Sequence, residues 1–486
     1  MSIAPAPERV SSDAPMSFSS LGVSKSLIEI LAARGITEPF PIQRQTLPDS
    51  LAGLDIIGRG RTGSGKTLAF VLPLVARLAE NRKGSAPRHP RGLILVPTRE
   101  LAAQVAETLE PLARALGLSH VVIHGGVSAV PQVKALTRGV DVVIACPGRL
   151  EDLMQQRHCK LDQIAVTVVD EADHMADLGF LPVVTRVLDK TPKNGQRLLF
   201  SATLDNGVDV LVKKYLHSPV MHSVDSAESP VPDMEHHVLC VERENKPALV
   251  QALASGQGRT LLFTRTKHTA KKLAHQLSQN GIPSVDLHGN LSQTVRTKNL
   301  EAFASGDVLV MVATDIAARG IHVDDIGLVV HVDPPAEHKA FLHRSGRTAR
   351  AGASGTVVTV MTPDQKSDVD VLTRRAGIQP RRTNVQPNHP LIAQLTGPVA
   401  PKRMRDIPQA QPQVQKQGQP RGRRSGGTKG KPVGSGAQPR SSAPARAAGG
   451  ASSAQPSGAP RRPGSPTGGA RRPGSAPGAS RRSKRS

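Results

Sequence analysis

Large aromatic side chains are almost missing from this chain. It has no Trp, one Tyr (Tyr215) and eight Phe in 486 residues, and every Phe lies at or before Phe341. The last part of the sequence therefore has little bulk with which to build a core. Cysteine is equally sparse. Cys146, Cys159 and Cys240 form neither a CxxC pair nor a Cys/His cluster, which argues against a disulfide framework and against a structural zinc site. No run of about 18 apolar residues occurs, and the opening MSIAPAPERVSSDAPMSF has no apolar core preceded by positive charge. The expectation is a soluble cytoplasmic protein without a membrane segment.

Acidic residues are the third scarcity, and it is local. Between Arg381 and Ser486 there are 21 basic residues and one acid, Asp406, so this stretch carries +20 of the formal net charge of +24. It is rich in Gly, Pro, Ser and Ala and repeats Arg pairs at Arg461/Arg462, Arg471/Arg472 and Arg481/Arg482. Such a segment cannot offset its ordering entropy and is expected to be disordered from residue 381 onward. Its charge would neutralise phosphates without reading sequence. A solubilising tail without a partner is the alternative.

The length suits two or three domains. β-branched apolar runs at 92–97, 120–125, 141–146, 166–170 and 197–203 alternate with helical spacing, as in 99–117. The pattern predicts strands covered on both faces in a parallel, doubly wound α/β domain. It restarts at 260–266, 284–289, 308–314, 327–333 and 355–362. The expected organisation is a disordered 1–15, a first domain over 16–222, a polar linker over 223–235, a second domain over 236–380 and the tail.

The strongest local signal is GRTGSGKT, residues 60–67, between the apolar LDIIG and a helical run. Its glycines Gly60, Gly63 and Gly65 allow backbone N–H groups to surround phosphate oxygens, together with Thr62 and Ser64. Lys66 supplies a point charge, and the Thr67 hydroxyl suits Mg2+. Further on, VTVVDEAD sets Asp170, Glu171 and Asp173 at a strand end. An acid there can hold a phosphate-bound Mg2+ through water, and its neighbour can orient or deprotonate a water. Three acids could also form a solvated turn or helix cap.

Taken in order, GRTGSGKT, PTREL (97–101), the Gly125–Gly126 pair, CPGR (146–149), DEAD (170–173), SAT (201–203), ATDIAARGI (313–321) and HRSGRTARAG (343–352) resemble the motif set of the DEAD-box ATP-dependent RNA helicases, in particular the bacterial RhlE-like branch. The resemblance spans about residues 18–362. It implies two RecA-like domains in tandem, ATP and Mg2+ as cofactors, RNA as partner, and RNA-stimulated ATP hydrolysis coupled to domain closure, local unwinding of short duplexes or remodelling of RNA–protein particles. Phe18, 17 positions before Gly35, together with GITEPFPIQ (35–43), which ends at Gln43, resembles the adenine-recognising Q motif, with Ile36 where the family often has an aromatic. By the same resemblance Glu171 positions the water, Asp170 holds Mg2+, and Asp173 connects to Ser201 and Thr203, with Arg319 also in the coupling path.

His343, Arg344, Arg347 and Arg350 close the second domain's motif series. Arg347 and Arg350 are candidate arginine fingers, since guanidinium groups stabilise charge on a transferring phosphoryl group; an RNA-phosphate patch is the other reading. The carried-over RNA set is Thr98, Arg99, Gly126 and Arg149 in the first domain, with Arg265, Gln293, Arg296 and Thr314 in the second. His322, Cys146 and Ala349 depart from the family pattern. A monomer is expected, with ribosomal or RNA-decay assemblies as partners. A slow-turnover RNA clamp and a DNA-directed relative remain the competing functions.

Overall fold

The computed structural model describes residues 16–60, 63–80, 84–204, 206–224, 234–318, 323, 325–349 and 354–403. Thr62, Arg319, His322 and Arg350, named above, lie outside the described residues, as does everything after Arg403.

In the first half, α1 (Lys25–Ala33) and α2 (Pro41–Leu51) precede β1 (Ile56–Arg59). Then follow α3 (Lys66–Glu80), β2 (Gly92–Leu95), α4 (Arg99–Ala115), β3 (His120–Ile123), α5 (Val130–Arg138), β4 (Val142–Ala145), α6 (Pro147–Gln155) and β5 (Val166–Val169). The half ends with α7 (Ala172–Asp177), α8 (Leu181–Leu188), β6 (Gln196–Ser201), α9 (Asn206–Tyr215) and β7 (Val220–Ser223). The strands form one parallel sheet in the order β3-β4-β2-β5-β6-β1-β7. β2, β4, β5 and β6 are buried along their whole length, as their continuous apolar runs require. Alternation splits their side chains between two cores: Ile56, Ile94 and Leu198 face one, with Phe70 and Phe200, while Ile57, Leu93 and Leu199 face the other.

The second half contains β8 (Met234–Cys240), α10 (Lys246–Leu253), β9 (Arg259–Phe263), α11 (Lys267–Gln279), β10 (Ser284–Leu287), α12 (Gln293–Ala304), β11 (Val310–Ala313) and α13 (Asp315–Ala318). It continues with β12 (Ile326–His331), α14 (His338–Ser345), β13 (Gly355–Met361), α15 (Lys366–Arg375), β14 (Arg381–Asn384) and α16 (Pro390–Thr396). Its sheet, β10-β11-β9-β12-β13-β8-β14, is again parallel. Counting strands from each half's first, both sheets have the order 3-4-2-5-6-1-7. One topology is used twice.

That equivalence corrects two expected boundaries. β14 is the counterpart of β7, so the second domain does not end at 380: α16 follows, and Ala400 N–H donates to Ser255 O (2.8 Å) and Arg403 N–H to Gly281 O (2.9 Å). As an exposed edge strand, Arg-Arg-Thr-Asn carries none of the apolar pattern that marks a strand. The expected linker, 223–235, also loses its ends, because β7 reaches Ser223 and β8 starts at Met234.

Candidate nucleotide and nucleic-acid site

The functional residues gather where parallel strands end, which is where a doubly wound sheet opens a crevice. β1 runs into the loop before α3, β5 into Asp170, β6 into Ser201. Gly63 and Gly65 both have φ +89°, a conformation that a side chain would strain. The loop folds back so that Lys66 Nζ donates to Gly60 O (2.9 Å) and to Glu171 Oε1 (3.0 Å). The Ser64 hydroxyl oxygen is enclosed without a hydrogen-bond partner among the described residues, and a Cβ on Gly60 would stand 2.8 Å from it. Buried hydroxyls seldom stay unpaired. A cramped, glycine-lined cradle with a spare hydroxyl and a lysine at the start of a 15-residue helix fits a phosphate group. Thr67 follows one residue on and is half-buried, and Asp170 is buried at the end of β5; a hydroxyl and a carboxylate are the oxygen donors that suit Mg2+.

Lys66, Asp170 and Glu171 are a buried charge cluster. Burial favours neutral Lys66, but Glu171, Asp170 and Asp173 overcome this and raise its pKa. Burial also raises the two carboxyls. For Asp170 burial dominates and the group is shifted up; for Glu171 the adjacent Lys66, assisted by His174, prevails and holds it well below the usual range. The two neighbouring carboxyls are thus shifted in opposite directions. Glu171 is also in the left-handed region, at φ 51° and ψ 49°, which costs about 1–3 kcal/mol and marks a position held by its surroundings.

Asp173 joins the two motifs expected to be coupled. Its backbone N–H donates to Ser201 Oγ (3.2 Å), and its Oδ2 accepts from Thr203 N–H (3.0 Å) and Thr203 Oγ1 (3.2 Å). Across from this cluster stands Arg347 of the second domain. It is 5% exposed, its Nε donates to His343 O (3.2 Å), and its charge is among those that lower the Glu171 pKa.

Two expected nucleotide contacts are placed differently. Phe18 is 2% exposed and packs in the core with Leu21, Val23 and Leu27, so its ring offers no face to a base. Gln43 is fully buried. Its Oε1 accepts from Phe40 N–H (2.9 Å) and its Nε2 donates to Gly65 O (2.8 Å), so the amide clamps α2 to the phosphate loop. Phe40, which motif reasoning passed over, is the aromatic beside the loop: it is 42% exposed, and its Cβ lies 2.9 Å from where a Cβ on Gly65 would be.

The RNA set divides. Thr98 caps α4 by accepting from Leu101 N–H (3.2 Å). Gly126, at φ +81°, leaves room for the Arg99 guanidinium, which would stand 2.1 Å from any Cβ there. Arg149 donates to Val127 O. Arg265 is exposed, its backbone N–H donating to Asp333 Oδ2 (3.0 Å), and Thr314, just past β11, is half-buried, its N–H donating to Leu287 O (3.2 Å). Arg296 and Gln293 depart from the expectation. Arg296 is buried, donating to Glu100 Oε1 (2.7 Å) and His288 O (3.2 Å). Gln293 accepts from Arg99 Nη1 (3.1 Å) and donates to Glu100 Oε1 (3.3 Å). These side chains tie the second domain to the first. Glu100 is the residue that motif reasoning missed, although an acid in the first turn of a helix directly after Arg99 is the available signal. Burial would raise its pKa, but the Arg296 guanidinium lowers it. Arg344 is likewise a buried arginine held by an acid, but within the second domain: it pairs with Asp315 through Nη2 (2.8 Å) and lies over Phe263 with its guanidinium carbon 5.1 Å from the ring centroid.

A phosphate loop, a strand-end acid pair and an arginine from a duplicated sheet define a tandem nucleoside-triphosphate-binding protein. Residues 40–211 match the DEAD/DEAH box helicase family model and residues 244–352 that of the helicase conserved C-terminal domain. DEAD-box ATP-dependent RNA helicase 53 of Oryza sativa subsp. japonica is 39% identical over 375 residues, covering 76% of this chain and 62% of that protein. ATP-dependent RNA helicase DDX50 of Mus musculus is 34% identical, covering 77% and 52%. The chain therefore spans about half to two thirds of the length of these curated relatives. The solved structure of S. cerevisiae Dbp5 bound to RNA and ADP BeF3 superimposes with a TM-score of 0.67 at 25% identity, covering 79% of this chain and all of that one. This chain belongs to the DEAD-box helicase family.

Proposed function

We propose that the protein is an ATP-dependent RNA helicase, an RNA-stimulated ATP hydrolase that couples hydrolysis to closure of its two domains on RNA. The observation that carries this is the Glu171 environment: its carboxylate accepts from Lys66 Nζ of the phosphate loop (3.0 Å), and although burial opposes its ionisation, the charges of Lys66, His174 and, from the other domain, Arg347 favour it. Bound Mg2+ would screen the phosphate charge beside Thr67 and Asp170. Lys66, already aimed into the loop, exchanges Gly60 O and Glu171 for phosphate oxygens, which frees Glu171 to accept a proton from an attacking water. Arg347 stabilises charge on the phosphoryl group only while the domains are closed. Asp173 transmits the state of that acid pair to Ser201 and Thr203.

The family relatives named as RNA helicases and Dbp5 bound to RNA support RNA as the partner. We further propose, from the resemblance of its motif set, that the chain belongs to the RhlE-like branch and works as a cytoplasmic monomer with ribosomal or RNA-decay assemblies.

The test is steady-state ATP hydrolysis with RNA, with DNA and with neither. RNA should stimulate turnover more than DNA, and Glu171→Gln should lower it about 100-fold or more while nucleotide still binds. Failure of RNA to stimulate, or unchanged turnover in Glu171→Gln, overturns the reading.

A further inference from the structure

Helix α11 has an unusual outer face. Its inner face is Ala270, Ala274, Leu277 and Ser278, all buried. The outer face holds Lys267, His268, Lys271, Lys272 and His275, all exposed. The 13 residues include no acid, and Lys271 and Lys272 make no ion pair among the described residues. Lys267 donates to Asn290 Oδ1 (3.1 Å), which pins the first side chain of the row. Lys267, Lys271 and His275 follow at i, i+4 and i+8 and so stand on one line along the helix.

Both ends of that line meet further positive charge. At the start, Thr266 caps the helix and Arg265 is exposed next to it, at the strand-end surface that holds the nucleic-acid candidates. At the end, two residues beyond the helix, the Lys402 side chain lies against Gly281, 3.0–3.4 Å from where a Cβ would be, and Arg403 N–H donates to Gly281 O. After Arg403 the sequence contains one acid, Asp406, among its many Lys and Arg residues. The helix, about 20 Å long, therefore carries Lys267, Lys271 and Lys272 on its N-terminal half, with the imidazole of His275 one turn further on, between Arg265 after β9 and the Lys402–Arg403 segment that leads into the basic sequence.

We infer that the outer face of α11 is a phosphate-binding track that carries RNA extending beyond the interdomain cleft along the side of the second domain. The occupant is a nucleic-acid backbone because the row has charge but no aromatic side chain, which suits phosphate contacts and not base stacking. Neutralisation along a row of point charges is independent of sequence, so the track holds any RNA long enough to reach it. This inference rests on the helicase reading.

The experiment uses the full chain, unsubstituted and as Lys271→Gln/Lys272→Gln, with a short oligouridylate that fills only the cleft and a long one that overhangs it. Equilibrium binding is measured across a salt series. The substitutions should weaken the long RNA about fivefold and reduce the slope of its log affinity against log salt by about 1.4, the value for two phosphate contacts on a single strand, and leave the short RNA unchanged. Lysine acetylation read by mass spectrometry should show Lys271 and Lys272 protected by the long RNA and not by the short one. Unchanged long-RNA binding and slope, an equal loss for both RNAs, or full reactivity of both lysines under saturating long RNA overturns the inference; so does protection by an acidic protein partner with none by RNA. If the helicase reading itself fails, the unsubstituted protein will show no RNA-stimulated hydrolysis, a result separable from all of these.

Discussion

At the scale of single residues, Gln43 shows how a motif position can be recognised while its structural work stays hidden. Its amide joins Phe40 N–H to the carbonyl of Gly65, which lies 22 residues after Gln43. Removing it leaves a donor and an acceptor unpaired beside a glycine at φ +89°. Gln43→Ala should therefore cost about 1–3 kcal/mol in denaturant unfolding and weaken nucleotide binding, because the loop loses its anchor. Gln43→Glu should not restore either, since a carboxylate presents an acceptor to the Gly65 carbonyl. Wild-type stability and nucleotide affinity in Gln43→Ala would contradict the clamp. Lys66, Asp170, Glu171, Asp173, Ser201 and Thr203 were legible because short strings of sequence define their chemistry. Gln43's partner, the burial of Phe18 and the role of Glu100 were not, because each depends on residues brought together only by folding.

Among the elements, the central strands were legible and the edges were not. β2, β4, β5 and β6 are apolar throughout because helices cover both faces, whereas β14 is an exposed edge whose Arg381 and Arg382 look like the start of the basic segment. Its place is fixed instead by pairing with β8 and by Val385 N–H donating to Cys240 O (2.9 Å). A chain stopped after Arg403 should keep the thermal stability and the RNA-stimulated turnover of the full protein. A chain stopped after Pro380 loses β14, α16 and the buried Val385 and Ile392; it should unfold at lower temperature, as followed by circular dichroism. Equal melting of the two truncations would show that 381–403 is dispensable. The interior of β1 offers a second check. A Cβ on Gly58 would stand 2.3 Å from the Phe200 ring, which packs 5.5 Å from Phe70. Gly58→Ala should destabilise the protein by about 1–3 kcal/mol through overpacking, measured by urea unfolding.

For the molecule as a whole, the decisive pair is Glu100 with Arg296, since it joins the first turn of α4 to α12 across the two sheets. With the domains together, the Arg296 guanidinium is buried against that carboxylate; with the domains apart, both groups regain water. Glu100→Gln should therefore shift the population from closed toward open more than it unfolds either domain. A lost hydrogen bond to a charged group is worth about 1.5–3 kcal/mol, or about tenfold or more in that equilibrium, readable as energy transfer between dyes on α5 and α15. The pH dependence follows from the depressed Glu100 pKa. Burial opposes ionisation, but Arg296 prevails and the carboxyl titrates below its ordinary range in the closed form. A group of this kind stabilises the form that depresses it at every pH above the ordinary carboxylate value, and the contribution fades as pH falls through the depressed one. The difference in closed population between wild type and Glu100→Gln should thus be level from pH 8 to about 5 and shrink below that. A difference that grew on acidification, or none at neutral pH, would remove Glu100 from the control of closure and leave the electrostatic influence of Arg347 on Glu171 as the link between the domains.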